Sequence, residues 1–156
     1  MTLYTGEAVL GGNHGLYAKG ECVNGIKVGR WHYYGSGVNV ISHITYDENG
    51  RKTGEAKAYY DTGELRKIEF YKKGVVIDDI KTFYRDGTLK SLYKHSKNGS
   101  SISYIGYYPN GRKRLYQEFD DDKSNLLKLE IWYKEDGTLW QYSRHVKGKC
   151  VYKKAY

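Results

Sequence analysis

The chain is 156 residues long, the length of one ordinary domain, and its 19 Gly and 18 Tyr argue against a helical bundle, because both residues are poor helix formers. No apolar run approaches the ~18 residues of a membrane span, and the two Cys, Cys22 and Cys150, form neither a disulfide framework nor a zinc site. A net charge of +8 admits acidic partners of any kind: protein, nucleic acid or lipid headgroup.

Residues 1–19 read as an N-terminal segment leading into a repeat domain over 20–156. The first twelve residues have neither the basic start nor the apolar stretch of a secretion signal, so a cytoplasmic protein is expected. His14 falls in this segment, in Gly11-Gly12-Asn13-His14-Gly15.

From residue 20 onward a motif recurs: an aromatic pair, two or three residues, then glycine. It appears at Tyr33-Tyr34 with Gly37, Tyr59-Tyr60 with Gly63, Phe83-Tyr84 with Gly87, Tyr107-Tyr108 with Gly111, and Trp132-Tyr133 with Gly137. These glycines are 26, 24, 24 and 26 residues apart. A second series, Gly25, Gly50, Gly74, Gly99 and Gly148, interleaves with the first. A turn therefore falls about every 12 residues, which suits one strand and one short turn. Asn24-Gly25, Asn49-Gly50, Asp86-Gly87, Asn98-Gly99, Asn110-Gly111 and Asp136-Gly137 are hairpin pairs that tolerate positive φ. The expected fold is all-β: a single extended antiparallel β-meander of roughly ten to twelve strands, each repeat of 24 to 26 residues being one hairpin.

Side chains alternate across a strand, so the repeat sorts into faces. The second aromatic of each pair, with small residues such as Ala56 and Ala58 behind it, is expected on a buried face. The first aromatic is expected on a wetter face: Trp31 and Tyr33, then Tyr59, Phe83, Tyr107 and Trp132. On the return strands, three residues past the turn glycine, stand Arg66, Lys90, Arg114 and Trp140. Two residues further come Ile68, Leu92, Tyr116 and Tyr142. Lys and Arg at such positions protect sheet edges and cover aromatic neighbours with their stems. The same column also makes a positive stripe suited to a partner.

The stretch Asn49-Gly50-Arg51-Lys52-Thr53-Gly54 leading to Tyr59-Tyr60 and Gly63-Glu64-Leu65 resembles the variant MORN repeat of bacteria. So does Asn24-Gly25-Ile26-Lys27-Val28-Gly29-Arg30-Trp31 leading to Tyr33-Tyr34. The resemblance spans residues 20 to 150; Gly74 lacks its Asn and second glycine, and the repeat at 115–130 is stretched. It implies a hairpin-repeat architecture and a role of immunity or antitoxin type.

No nucleotide-binding glycine loop, zinc-protease motif or nucleophile elbow is present. The five His have no metal-ligand spacing. Asp78-Asp79 and Asp120-Asp121-Asp122 lack the alternation and glycine bend of a calcium loop. No cofactor, metal or catalysis is expected. The expected function is non-catalytic binding of another protein, a toxin or effector, which the chain would neutralise by occlusion. Tyr59, Phe83, Tyr107, Trp132, Arg66, Lys90, Arg114 and Trp140 would carry it, since Tyr, Trp and Arg dominate interface energies. A peripheral binder of acidic lipid or nucleic acid is the alternative.

Overall fold

A computed structural model describes residues 3–11, 17–96, 100–120 and 125–156. His14, the Asn98-Gly99 turn and Asp121-Asp122 lie outside them. The chain is an all-β antiparallel meander of hairpins, with no helix among the described residues. It falls into two units, Met1–Val76 and Ile77–Tyr156.

The first unit holds β1 (Gly6–Gly11), β2 (Tyr17–Val23), β3 (Ile26–Tyr34), β4 (Val40–Tyr46), β5 (Lys52–Tyr59), β6 (Leu65–Lys72) and the short β7 (Val75–Val76). Each pairs antiparallel with the next. The second unit holds β8 (Ile80–Phe83), β9 (Leu89–His95), β10 (Ser101–Tyr107), β11 (Lys113–Phe119), β12 (Leu127–Tyr133), β13 (Leu139–Val146) and β14 (Lys149–Ala155), again paired in sequence order. The fourteen strands among the described residues exceed the ten to twelve expected. The excess lies where no turn pair marks it: β1 and the start of β2 occupy the N-terminal segment, and β7 is two residues long.

The glycines serve two kinds of turn. Asn24-Gly25, Lys73-Gly74 and Lys147-Gly148 have positive φ at both residues, 50° and 76°, 51° and 84°, 50° and 73°. These are two-residue turns whose twist matches the strands they join. At Gly50, Gly63, Gly87, Gly111 and Gly137 only the glycine is left-handed. There the glycine N–H donates to the carbonyl three residues back, as in Gly63 to Tyr60 (3.0 Å) and Gly137 to Lys134 (2.9 Å). Where Asp precedes such a glycine, at Gly87 and Gly137, its carboxylate closes the turn. Thr88 N–H donates to the Asp86 carboxylate at 2.8 Å, which holds that carboxyl below its ordinary value.

The core of the first unit is built on Trp31, the one large side chain among the described residues that is fully buried, at 0% exposure, with Ala18 and Cys22 beside it. Trp31 Nε1 donates to the Glu21 carbonyl at 3.0 Å, and Lys27 Nζ lies 4.3 Å from the indole centroid. Tyr33 packs on the same cluster and its hydroxyl meets that of Tyr46 at 2.7 Å. This overturns the expectation that Trp31 and Tyr33 stand on the wetter face. Tyr34 pairs with Val40 as Tyr59 pairs with Leu65. Tyr34 is thus the equivalent of Tyr59, and its neighbour Tyr33 falls on the buried side with Ala58.

In the second unit the buried residues among those described are Ser91, Ser100, Ser103, Gly106 and Ser143, all small, with Leu115. Buried hydroxyls are paired, as in Thr82 Oγ1 with Ser91 Oγ at 2.6 Å. Tyr84 and Tyr108 reach over to the neighbouring hairpin, donating to the Tyr107 and Tyr133 carbonyls at 2.7 and 2.8 Å. Tyrosine here both fills the core and bonds one repeat to the next. Cys22, buried, and Cys150, exposed, are free thiols.

Candidate functional site

Four hairpins closed by the longer turn, at Gly63, Gly87, Gly111 and Gly137, carry the same irregularity. Phe83 pairs with Leu89 and Thr82 with Ser91, so Lys90 is an extra residue in the ladder. Arg114 is extra between Lys113 and Leu115, and Trp140 between Leu139 and Gln141. Arg66 and Ile41 are their equivalents in the first unit. The expected basic column is therefore a column of β-bulges. A bulge sets two residues against one and re-aims the extra side chain.

Directly opposed residues share a face. In the second unit the registers align Thr82, Ser91, Gly106, Leu115 and Trp132 on one face. Lys81, Leu92, Ile105, Tyr116, Ile131 and Tyr142 line the other. The bulge residues turn to the Trp132 side. Lys90 Nζ lies 5.5 Å from the Tyr84 ring centroid. The Arg114 guanidinium lies above Gly106, where a Cβ would meet it at 3.5 Å and the Tyr104 hydroxyl at 3.2 Å. Trp140 meets Trp132 edge to face, with centroids 6.2 Å apart, and remains 48% exposed.

Lys90, Arg114, Trp132 and Trp140 are thus brought to one face of the second unit. Phe83 and Tyr107 are not: they alternate with Thr82 and Gly106 and so occupy the opposite face with Ile105. Trp132 does not continue their column. Lys134 N–H donates to the Thr138 carbonyl as Tyr108 N–H does to Arg112, so Tyr133 is the equivalent of Tyr107. In the first unit Tyr59 stands beside His43, its hydroxyl 3.4 Å from Nδ1, and Arg66 is an exposed bulge residue. Burial, then the charges of Arg30, His32 and Lys57, holds His43 below its ordinary value.

Sequence reasoning left Tyr93 and Tyr104 out of the candidate site, although Tyr104 falls with Gly106 on one face; the two tyrosines share the Trp132 face with ring centroids 4.5 Å apart. Burial raises the Tyr93 phenol, aided by Tyr104. Alternation from Ser91, whose partner is Gly106, is the signal that sets Tyr93 beside Tyr104. The assembled groups are rings, a guanidinium and an ammonium, suited to packing and anion contact. Among the described residues no group of three or more His, Cys, Asp or Glu could hold a metal ion.

No family model matches the chain, so the resemblance to variant MORN repeats stands on the turn residues and aromatic pairs alone. No curated protein matches it. Among solved structures it is similar to a chain described as "Crystal structure of GtfA/B complex bound to UDP and GlcNAc", over 88% of this chain and 24% of that one, with 13% identity and a TM-score of 0.31. The chain spans about a quarter of the length of that solved chain.

Proposed function

We propose that the chain is a non-catalytic protein-binding module of immunity or antitoxin type, neutralising a toxin or effector by covering it. The observation that carries this reading is the gathering of Lys90, Arg114, Trp132 and Trp140 on one face of the second unit, with an exposed indole at its end. Trp and Arg are the residues that most often anchor interfaces. A ladder-bonded sheet presents them with little ordering cost on binding. The resemblance to variant MORN repeats supports the neutralising role.

The test is titration calorimetry against a partner captured from the native host. Trp140→Ala should cost about 2 kcal/mol of binding, roughly thirtyfold in Kd. Lys90→Ala should mainly slow association and flatten its salt dependence. Phe83→Ala, on the opposite face, should leave affinity within about twofold. Unchanged binding by a folded Trp140→Ala, Arg114→Ala double variant would reject the site. Binding to nucleic acid or acidic vesicles in place of protein would reject the partner class.

A further inference from the structure

The hairpin β13–β14 contains Arg144, Lys147, Lys149, Lys153 and Lys154 and no carboxylate. Its register pairs Arg144 with Tyr152 and His145 with Cys150, so Val151 bulges from the ladder. Val151 is 61% and Tyr152 50% exposed. These two residues wall a cleft of about 870 Å³ with Leu129, Tyr142, Arg144 and Glu118. Tyr142 and Tyr152 meet edge to face, centroids 6.0 Å apart. Leu129 opposes Arg144 and Ile131 opposes Tyr142, which sets the cleft on the face opposite Trp132 and Trp140.

Two features define what fits. The floor is aromatic and aliphatic, and the volume lies within the ~300–1,000 Å³ of ordinary ligand sites. Arg144 projects beside that floor with no carboxylate in salt-bridge range among the described residues, whereas Glu118 is engaged by Lys128 Nζ at 3.1 Å. An exposed guanidinium beside an apolar wall complements an acid adjoining an apolar side chain. The rim also carries Glu118 and Asp120. Carboxylates there repel the dense charge of a polyphosphate backbone or an anionic lipid surface far more than a single carboxylate set against Arg144, and they accept the N–H groups of a polypeptide.

We propose that this cleft binds a short acidic segment of another protein. One carboxylate of the segment pairs with Arg144, and a neighbouring apolar side chain lies on Leu129, Tyr142, Val151 and Tyr152. The site is separate from the Trp140 face and does not depend on what that face binds.

The test pans the full chain against a random heptapeptide library displayed on phage, then measures selected peptides by fluorescence anisotropy. Enriched sequences should carry Asp or Glu beside a large apolar residue. Arg144→Glu should weaken the best peptide at least about tenfold, and Tyr152→Ser at least about fivefold. Trp140→Ala should change it less than twofold, which keeps this site distinct from the other face. Should Arg144→Glu lose its strand circular dichroism, Lys147→Glu, on the exposed turn that also lines the cleft, replaces it, with a loss of about threefold or more expected. No enrichment, enrichment without acidic residues, or equal affinity in the folded charge-reversed variant overturns the proposal. So does tighter, Arg144-dependent binding of polyuridylate or phosphatidylserine vesicles.

Discussion

Gly20 lies in β2 directly beneath the Trp31 indole. A methyl group added there would stand 2.4–2.5 Å from Cδ2, Cε2 and Cγ of the ring, whereas carbon–carbon contact is optimal at about 3.5–4.0 Å. The ring would have to withdraw by about 1 Å or more. It is enclosed on every side at 0% exposure, tethered by its Nε1 bond to the Glu21 carbonyl and covered by Lys27. Overpacking a close-fitted core costs about 1–3 kcal/mol, and disturbing the indole hydrogen bond adds about 1 kcal/mol. Gly20→Ala should therefore lose about 2–4 kcal/mol, a large part of the ~5–15 kcal/mol that stabilises a domain. Gly20 is not left-handed, so the loss comes from the ring contact and not from the backbone. Gly11 is the control. A Cβ there meets nothing within 4 Å, and Gly11→Ala should be neutral or gain up to about 1 kcal/mol from the restricted unfolded chain. Urea unfolding followed by tryptophan fluorescence reads both, at unchanged m. A Gly20→Ala midpoint equal to the parent's, or a Gly11→Ala midpoint that falls as far, would refute the reasoning.

Tyr84→Phe and Tyr108→Phe each remove a hydroxyl that bonds one hairpin to the next, and each should cost about 1 kcal/mol in the same assay; a double variant matching the parent would remove that role. Tyr46 and Tyr71 are pushed up to about 12 from an ordinary 10.0, both chiefly by burial, then by the Tyr33 hydroxyl and by the Glu69 charge respectively. Because the folded value is the higher, the neutral phenol is favoured in the fold, so the stability it supplies is complete below pH 10 and is lost as pH rises from 10 to 12. Ultraviolet titration should show a late ionisation step that shrinks in Tyr46→Phe and in Tyr71→Phe, and an unchanged titration curve would contradict the assignment.

The meander was legible because its turns demand special backbone. Positive φ at Gly63, Gly87, Gly111 and Gly137 is a requirement that few residues meet, so glycine spacing reports hairpin spacing directly. The aromatic pairs were a poorer ruler, since nothing in the backbone demands them. Aligning on Trp132-Tyr133 set the last repeat one residue out of step, and the glycine would have corrected it. The bonded carbonyl lies three residues before Gly111 at Tyr108 and three before Gly137 at Lys134. Counting back from glycine makes Tyr133 the partner of Tyr107. At Gly37 this rule fails too, because that glycine is not left-handed, and only the pairing of Tyr34 with Val40 sets the step.

The site was harder to read because a bulge cancels alternation. Lys90 and Leu92 are two residues apart, which in a regular strand puts them on one face. Yet Lys90 turns to Tyr84 while Leu92 opposes Lys81 and Ile105 on the other side. What the bulge residues share is reach. Ile41 lies over Gly35, Lys90 near the Tyr84 ring, Arg114 over Gly106, and Trp140 against Trp132. Each covers a neighbour that would otherwise be wet, so the residues that present a surface also pack the repeat beneath it. The two roles separate by burial. Arg114 Nε is buried without a hydrogen-bond partner, so removing Arg114 changes packing as well as surface. Lys90 and Trp140 are exposed, so a loss of binding at those two positions, with stability unchanged, measures the surface alone.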